Sequence, residues 1–301
     1  MENKKMLFIY NPHAGKASIR SNLLDMIDIF TKAGFEVTAY PTQKKGDAIK
    51  ATRERSSDFQ VLACSGGDGT LDEVVTGMME CEKRIPIGYV PAGTTNDFAK
   101  SLKIPSNMLK AARAIVDGKI FPCDIGAFND DTFVYIAAFG LFTDVSYATD
   151  QQIKNVLGHM AYVLEGAKRI NSIPSYHVKY SHDGIENEGD FVFGMITNSL
   201  SVGGFRKITG KNVELDDGLF EVTLIKKPKN MIELNLILTS LIGRKIVTEY
   251  MDCFKTNKLV IETQEEIPWT LDGEFGGNHS KVTVKNEKQA LKIIIPDKER
   301  E

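Results

Sequence analysis

Short apolar runs and helical stripes alternate along the first 125 or so residues, separated by connections of a few polar or glycine-containing positions. KKMLFIY (4–10) is a continuous run of strand length, and Ile19, Leu23, Ile27 and Phe30 then recur at helical spacing up to a closing Gly34. FEVTAY predicts the next strand, DAIKATRERSS a helix and FQVLACS a strand. Leu71, Val74, Val75, Met78 and Met79 form another helical stripe, IPIGYVP a further strand, and TTNDFAKSL and NMLKAARAIV two helices. Such alternation predicts an α/β domain over residues 1–125, a parallel sheet with helices on both faces.

After FPCDIGAF the texture changes. FVYIAAFG, YHVKYS, DFVFGMITN, GLFEVTLI, KLVIET, KVTV and LKIIIP predict strands, separated by turn signals such as NDD, SHDG and ELDDG. Two helical segments interrupt them: residues 153–170, with Ile153, Val156, Leu157, Met160, Leu164 and Ala167 on one face, and residues 231–243. A β-rich second domain is therefore expected over 126–287, and no internal repeat is visible.

Composition narrows the function classes. The chain has 301 residues, 42% hydrophobic and 26% charged, with a formal net charge of −3. That is enough material for two cores, and the slightly acidic balance excludes a general nucleic-acid binder, whose phosphate-neutralising face makes it basic. Cys64, Cys81, Cys123 and Cys253 lack CxxC pairing, and the five histidines lack metal-ligand spacing. The start, MENKKMLFIYNP, carries too short an apolar segment for a secretion signal, which predicts a cytoplasmic protein. Residues 231–247 include Glu233, Asn235, Arg244 and Lys245, so no membrane span is expected.

The candidate chemistry lies in three loops that follow predicted strands and lead into helix N-termini, where the partial positive charge favours anions. NPHAGK (11–16) offers Gly15 for close backbone approach and Lys16 as a cation. It is not a Walker loop, which would need Gly and Ser or Thr where this chain has Tyr10 and Ala17. SGGDGT (65–70) sets three glycines around Asp68. Its glycines suit a backbone nest for phosphate, and since a carboxylate repels phosphate, Mg²⁺ is the natural mediator between them. PAGTTNDFA (91–99) again joins a glycine, hydroxyls and a carboxylate at a helix start. Each loop could alone be a capped turn; together they point to a nucleotide site.

In this order and spacing, NPHAGK, GGDGTLDEVVTG and PAGTTNDFA resemble the diacylglycerol kinase catalytic domain of soluble bacterial lipid kinases, relatives of sphingosine and ceramide kinases. CDIG (123–126), GGF (203–205), LDDGLFEV (215–222) and LDGE (271–274) extend the likeness over essentially the whole chain. GGDGT is shared with NAD kinases and phosphofructokinases, whereas GTTNDFA favours lipid kinases.

The resemblance implies a phosphofructokinase- or NAD-kinase-like α/β domain, a C-terminal β-sandwich, an active site in the cleft between them, and a last strand, about 288–301, returning to the first domain. Carried over by position, ATP contacts fall on Asn11, Pro12, His13, Ala14, Gly15, Thr42, Gly67, Asp68, Gly69, Thr70, Leu71, Asp72, Glu73 and Thr95. Lys16, Asp68, Asp97, Asp124 and Lys168 join the charged network around the catalytic Mg²⁺, and Glu274 is the general base. A structural Mg²⁺ is implied at Glu214, Asp217 and the Leu219 carbonyl, although the preceding TGKNVE departs from the usual proline-containing pattern.

The implied activity is ATP-dependent phosphorylation of diacylglycerol to phosphatidic acid. Phosphatidylglycerol, a sphingoid base or NAD stays open as acceptor, as does a nucleotide-binding regulator without turnover. The partner is a lipid at a membrane interface, met transiently through residues 153–169 or through Lys226 to Lys229 and the following helix. A homodimer stays open.

Overall fold

The computed structural model describes residues 4–141, 173–199, 201–202, 205–206, 213–243 and 249–297. Contacts divide the chain into two compact units, Met1–Asp124 with Gln289–Glu301, and Ile125–Lys288.

The first unit begins with β1 (Lys4–Tyr10), α1 (Ala14–Lys32), β2 (Phe35–Pro41), α2 (Asp47–Arg55), β3 (Val61–Gly66), α3 (Asp68–Met79) and β4 (Ile87–Pro91). The short α4 (Asp97–Ser101), α5 (Met108–Asp117) and β5 (Lys119–Phe128) follow. The chain re-enters this unit through the end of a long final strand, β15 (Glu274–Ile295). Its sheet runs β15, β4, β3, β1, β2, with every one of these pairs parallel. The central strands are apolar at consecutive positions because helices cover both faces: Met6 to Ile9 and Leu62 to Cys64 are fully buried.

Helices α1 and α5 pack together, as do α2 and α3. The buried line of α1 is Ile19, Met26 and Phe30, with Leu23 and Ile27 only half-buried, since 3.6-residue geometry carries the seam from 23 to 26. Gly77 sets the α2–α3 distance, for a Cβ there would stand 2.6 Å from the Ile49 carbonyl oxygen. Gly34, at φ +87°, ends α1 with its N–H on the Thr31 carbonyl at 2.9 Å.

The second unit contains β6 (Asp131–Phe133), β7 (Ile136–Gly140), β8 (Tyr176–His182) and β9 (Ile185–Thr197). After the small ladder of β10 (Ser201–Val202) and β11 (Phe205–Arg206) come β12 (Phe220–Lys226), α6 (Met231–Gly243), β13 (Met251–Thr256) and β14 (Lys258–Leu271). Strands β7 and β8 each bridge β9 and β14, and β12 pairs with β9 and β13, all antiparallel. Trp269 lies at the centre of the core, 5.0 Å from the Phe128 ring and 4.9 Å from that of Phe139.

Several elements differ from the sequence expectation, among them β5, which is not expected, and β14, which runs past KLVIET to Leu271. KVTV and LKIIIP are parts of one strand, β15, which continues through the polar KNEKQA between them. FVYIAAFG is split into β6 and β7 at Val134–Tyr135, whose N–H groups are taken by the Asp272 carboxylate. MDCFKT, whose polar residues mask the alternation, forms β13. The expected helix at 153–170 lies outside the described residues.

Candidate functional site

The three loops of the first unit close on one another at the carboxyl ends of β1, β3 and β4. The Asn11 N–H donates to the Ser65 carbonyl at 2.9 Å, and Asn11 Oδ1 accepts the His13 N–H at 2.9 Å, turning the chain into α1. Gly15 sits at φ +57°, where a Cβ would come within 2.1 Å of the Ala92 carbonyl oxygen. A Cβ on Gly66 would meet the Thr70 side chain at 2.4 Å, and one on Gly93 would meet Gly67 Cα at 2.7 Å. These glycines are therefore needed for the loops to touch.

Asn96 and Tyr89 lock the arrangement. Asn96, at φ +50°, accepts the Gly93 N–H on Oδ1 at 3.0 Å and donates from Nδ2 to the Gly93 carbonyl at 2.8 Å. The Tyr89 hydroxyl lies 3.1 Å from the Gly66 carbonyl and 3.3 Å from Asn96 Oδ1, so its proton serves either loop. Burial, then the charge of Asp68, then Cys64 hold the phenol well above its ordinary range, and it remains a donor. Beside these loops is a cavity of about 520 Å³ lined by Gly15, Ser18, Gly93, Thr95, Asn107 and Met108 among others.

The acidic residues of this unit have different surroundings. Asp68 is the first residue of α3, and Asp97, buried, the first of α4, with Lys100 Nζ 3.4 Å away. Asp124 is fully buried on β5, and its Oδ1 accepts the Gln289 N–H at 2.7 Å. That bond pins β15 where Gln289 takes φ +52°. Lys16 stands in the first turn of α1.

The loops thus bring Asn11 to Gly15, Gly67 to Thr70, and Thr95 toward one edge of the sheet. Other residues from the same expectation have different surroundings. Leu71 is buried in the core. Glu73 caps α2, accepting the Gly46 N–H at 2.8 Å and the Ala48 N–H at 3.1 Å. Thr42 is nearly buried, bonded by its N–H to the Tyr10 carbonyl at 2.9 Å. Asp72 is half-buried in the first turns of α3.

In the second unit, Glu274 follows a two-residue turn, Asp272–Gly273, whose φ values of +51° and +88° are those of a type I′ hairpin. Leu271 pairs with Glu274 across it, and Glu274 is exposed. Asp272 is 6% exposed, and its carboxylate turns inward. One oxygen accepts the Val134 N–H; the other accepts those of Tyr135 and Ile136, each at 2.9 Å. These amides go to a side chain instead of a strand, which is why FVYIAAFG breaks in two. Sequence reasoning missed this role. Asp-Gly between apolar runs signals the turn, but nothing local signals a partner 136 to 138 residues away.

Also in this unit, Glu214 is exposed and Asp217 half-buried, with Asp217 Oδ1 accepting the Leu219 N–H at 2.9 Å. Helix α6 buries Leu234 and Ile237 and exposes Met231, Ile232 and Leu236, close in sequence to Lys227 and Lys229. Lys168 and the segment around it lie outside the described residues. Among the described residues no helix is long and apolar enough to cross a membrane.

Comparison with known proteins agrees over nearly the whole chain. Residues 5–128 match the family described as diacylglycerol kinase catalytic domain, and residues 136–295 match the YegS C-terminal NAD kinase beta sandwich-like domain. The chain is 36% identical to the diacylglycerol kinase of Staphylococcus carnosus (strain TM300), covering 97% of this chain and 95% of that one. It is 35% identical to the diacylglycerol kinase of Bacillus subtilis (strain 168), with 91% of each covered. A crystal structure of a diacylglycerol kinase from Bacillus anthracis str. Sterne superposes with a TM-score of 0.78 at 25% identity, covering 98% of both chains.

Proposed function

Because this chain belongs to the diacylglycerol kinase family, we propose that it transfers the γ-phosphoryl group of ATP to the free hydroxyl of diacylglycerol, giving phosphatidic acid. The observation that carries the reading is the convergence of three glycine-bearing loops and a helix N-terminus beside buried carboxylates. Exposed loop N–H groups bind phosphate oxygens and cost little reorganisation when charge shifts during transfer.

The donor set in the first unit fits a divalent cation. Asp68, Asp97 and Asp124 are hard oxygen donors in the same unit as loops suited to phosphate; among the described residues no three acidic side chains there cluster tightly enough to cage an ion, so one or two of these carboxylates with phosphate oxygens and waters would hold Mg²⁺. Bound there, the ion would neutralise charge on the transferred group. Lys16 would add a cation at the first loop, and Asn11 to Gly15, Gly67 to Thr70 and Thr95 would hold the nucleotide. Glu274, held by the Asp272 turn, would take the proton of the attacking hydroxyl. The first unit would serve as the nucleotide-binding domain and the second as the lipid-binding domain.

A lipid acceptor requires contact with a bilayer, and exposed Met231, Ile232 and Leu236 near Lys227 and Lys229 suit an interfacial helix. Purified protein, labelled ATP, Mg²⁺ and mixed micelles test the activity. The expected outcome is label in diacylglycerol and little in phosphatidylglycerol, a sphingoid base or NAD, with Glu274→Gln strongly impaired. Label confined to another acceptor, or a Glu274→Gln protein as active as wild type, refutes it.

A further inference from the structure

The acidic turn before β12 already contains a cation. Pairing of β12 with β13 sets Glu221 directly opposite Lys255. The Lys255 Nζ lies 3.0 Å from Glu221 Oε1 and 3.2 Å from Asp217 Oδ2. Glu221 is 6% exposed, with that ammonium at ion-pair distance. The remaining oxygen of Asp217 is engaged by the Leu219 N–H, with Gly218 at φ +86° forming the bend.

These residues do not fit the structural Mg²⁺ that the family resemblance places here. Mg²⁺ requires a near-octahedral oxygen shell at roughly 2.0–2.1 Å. Glu214 is exposed, and both Asp217 oxygens have partners, one the Leu219 N–H and the other the Lys255 ammonium. A metal bridging Asp217 and Glu221 would compete with an ammonium already serving both.

We propose that the Lys255 ammonium is the resident cation of this turn, tying Asp217 and Glu221 to the β12–β13 edge, so that the second unit needs no divalent metal to hold it together. Burial lowers the affinity of Lys255 for its proton, but the hydrogen bond and charge of Glu221, followed by those of Asp217, more than restore it. Burial pushes Glu221 up to about 7 even against the hydrogen bond and charge of Lys255, so without that ammonium the carboxyl would be an uncompensated buried charge or a neutral acid. Any Mg²⁺ requirement of the protein then comes from elsewhere.

The test compares full-length wild type with Asp217→Asn and Lys255→Met, each unfolded thermally in EDTA and in excess MgCl₂ without nucleotide. Wild type and Asp217→Asn are expected to show the same Mg²⁺-induced change in midpoint, whatever its size. Lys255→Met should unfold about 4 °C or more lower in EDTA and regain part of that with Mg²⁺, since a ligand that binds only the folded state raises the midpoint. A Mg²⁺ stabilisation of wild type that Asp217→Asn abolishes overturns the proposal. So does a Lys255→Met protein as stable as wild type in EDTA. The first comparison relies on differences within each protein, so it decides the matter even if Lys255→Met does not fold.

Discussion

Replacing Asp272 by Asn should unfold the second unit more than any other single-atom change in the LDGE segment. The carboxylate accepts three backbone N–H groups, from Val134, Tyr135 and Ile136, and is almost fully buried. Asn keeps the shape and favours the positive φ of the turn, since Asn-Gly is a preferred type I′ pair, so the hairpin itself is not penalised. What changes is charge and donor count. The amide oxygen can serve Tyr135 and Ile136, but the NH₂ group then faces the Val134 N–H, donor against donor. Hydrogen bonds to a charged acceptor contribute roughly 1.5–3 kcal/mol each, and a buried unsatisfied donor costs about 1–3 kcal/mol, which places Asp272→Asn at about 2–4 kcal/mol. Asp272→Ala leaves all three donors and loses the turn preference, at about 4–6 kcal/mol by the same accounting. Urea unfolding followed by the fluorescence of Trp269, buried in the same unit, measures both. Kinase assays should show kcat reduced with the ATP KM little changed, because the turn carries Glu274 and not the nucleotide loops. An Asp272→Asn protein within about 0.5 kcal/mol of wild type would refute the reasoning, since no spread in hydrogen-bond strength covers three charged bonds.

Further outcomes follow from the first unit and from one surface pair. Gly15→Ala should weaken ATP binding and cost about 1–3 kcal/mol by forcing a Cβ at positive φ against the Ala92 carbonyl, read by calorimetry and thermal unfolding. Glu73→Ala should destabilise by about 1–2 kcal/mol through loss of the α2 cap while leaving the ATP KM within about twofold, which a KM measurement beside an unfolding curve checks. Gly69→Ala should do the reverse, leaving stability equal or about 0.5–1 kcal/mol higher while weakening ATP binding. Lys281, by hydrogen bond and then charge, holds Glu262 below its ordinary value of 4.5. Its folded pKa is depressed, so the pair stabilises above about pH 4.5 and that stability is lost as pH falls through the depressed value. Wild-type and Glu262→Gln unfolding midpoints should differ at neutral pH and converge in acid.

What was legible in the sequence was local. The stripe Leu71, Val74, Val75, Met78 and Met79 and the runs MLFI and LAC are legible because periodicity needs only neighbours, and all are buried except Met79, which is half-buried at the end of α3. Loop chemistry is legible for the same reason, since GGDGT and PAGTTND state their turns within five and seven residues. Residues whose partners lie far along the chain were not. Asp272 reads as a hairpin residue until Val134 to Ile136 are beside it, and Lys255 carries no signal at all until pairing with β12 brings it to Glu221 and Asp217. Glu73 reads as one more polar residue of the phosphate loop, yet the start of α2 uses both its oxygens. In each case a charge is fixed by a tertiary contact that no window of the sequence contains.

The same distinction bears on the glycines, which first suggested a phosphate site. Gly15, Gly66 and Gly93 are accounted for by packing alone, with a Cβ meeting neighbouring atoms at 2.1, 2.4 and 2.7 Å. Their presence would follow whether or not a ligand binds. Gly67 and Gly69 are different: a Cβ on Gly67 finds its nearest neighbour at 3.5 Å, and one on Gly69 finds nothing within 4 Å, at backbone angles any residue can adopt. Glycine in the first turn of a helix lowers stability by about 1 kcal/mol relative to alanine. The fold gains nothing from Gly69, which is exposed at the start of α3 next to Asp68. A residue that costs stability and relieves no contact is explained by something outside the chain that must approach the backbone closely, and phosphate at a helix N-terminus is such a group. Within the converging loops, Gly67 and Gly69 are the glycines that packing leaves unexplained and a bound phosphate accounts for.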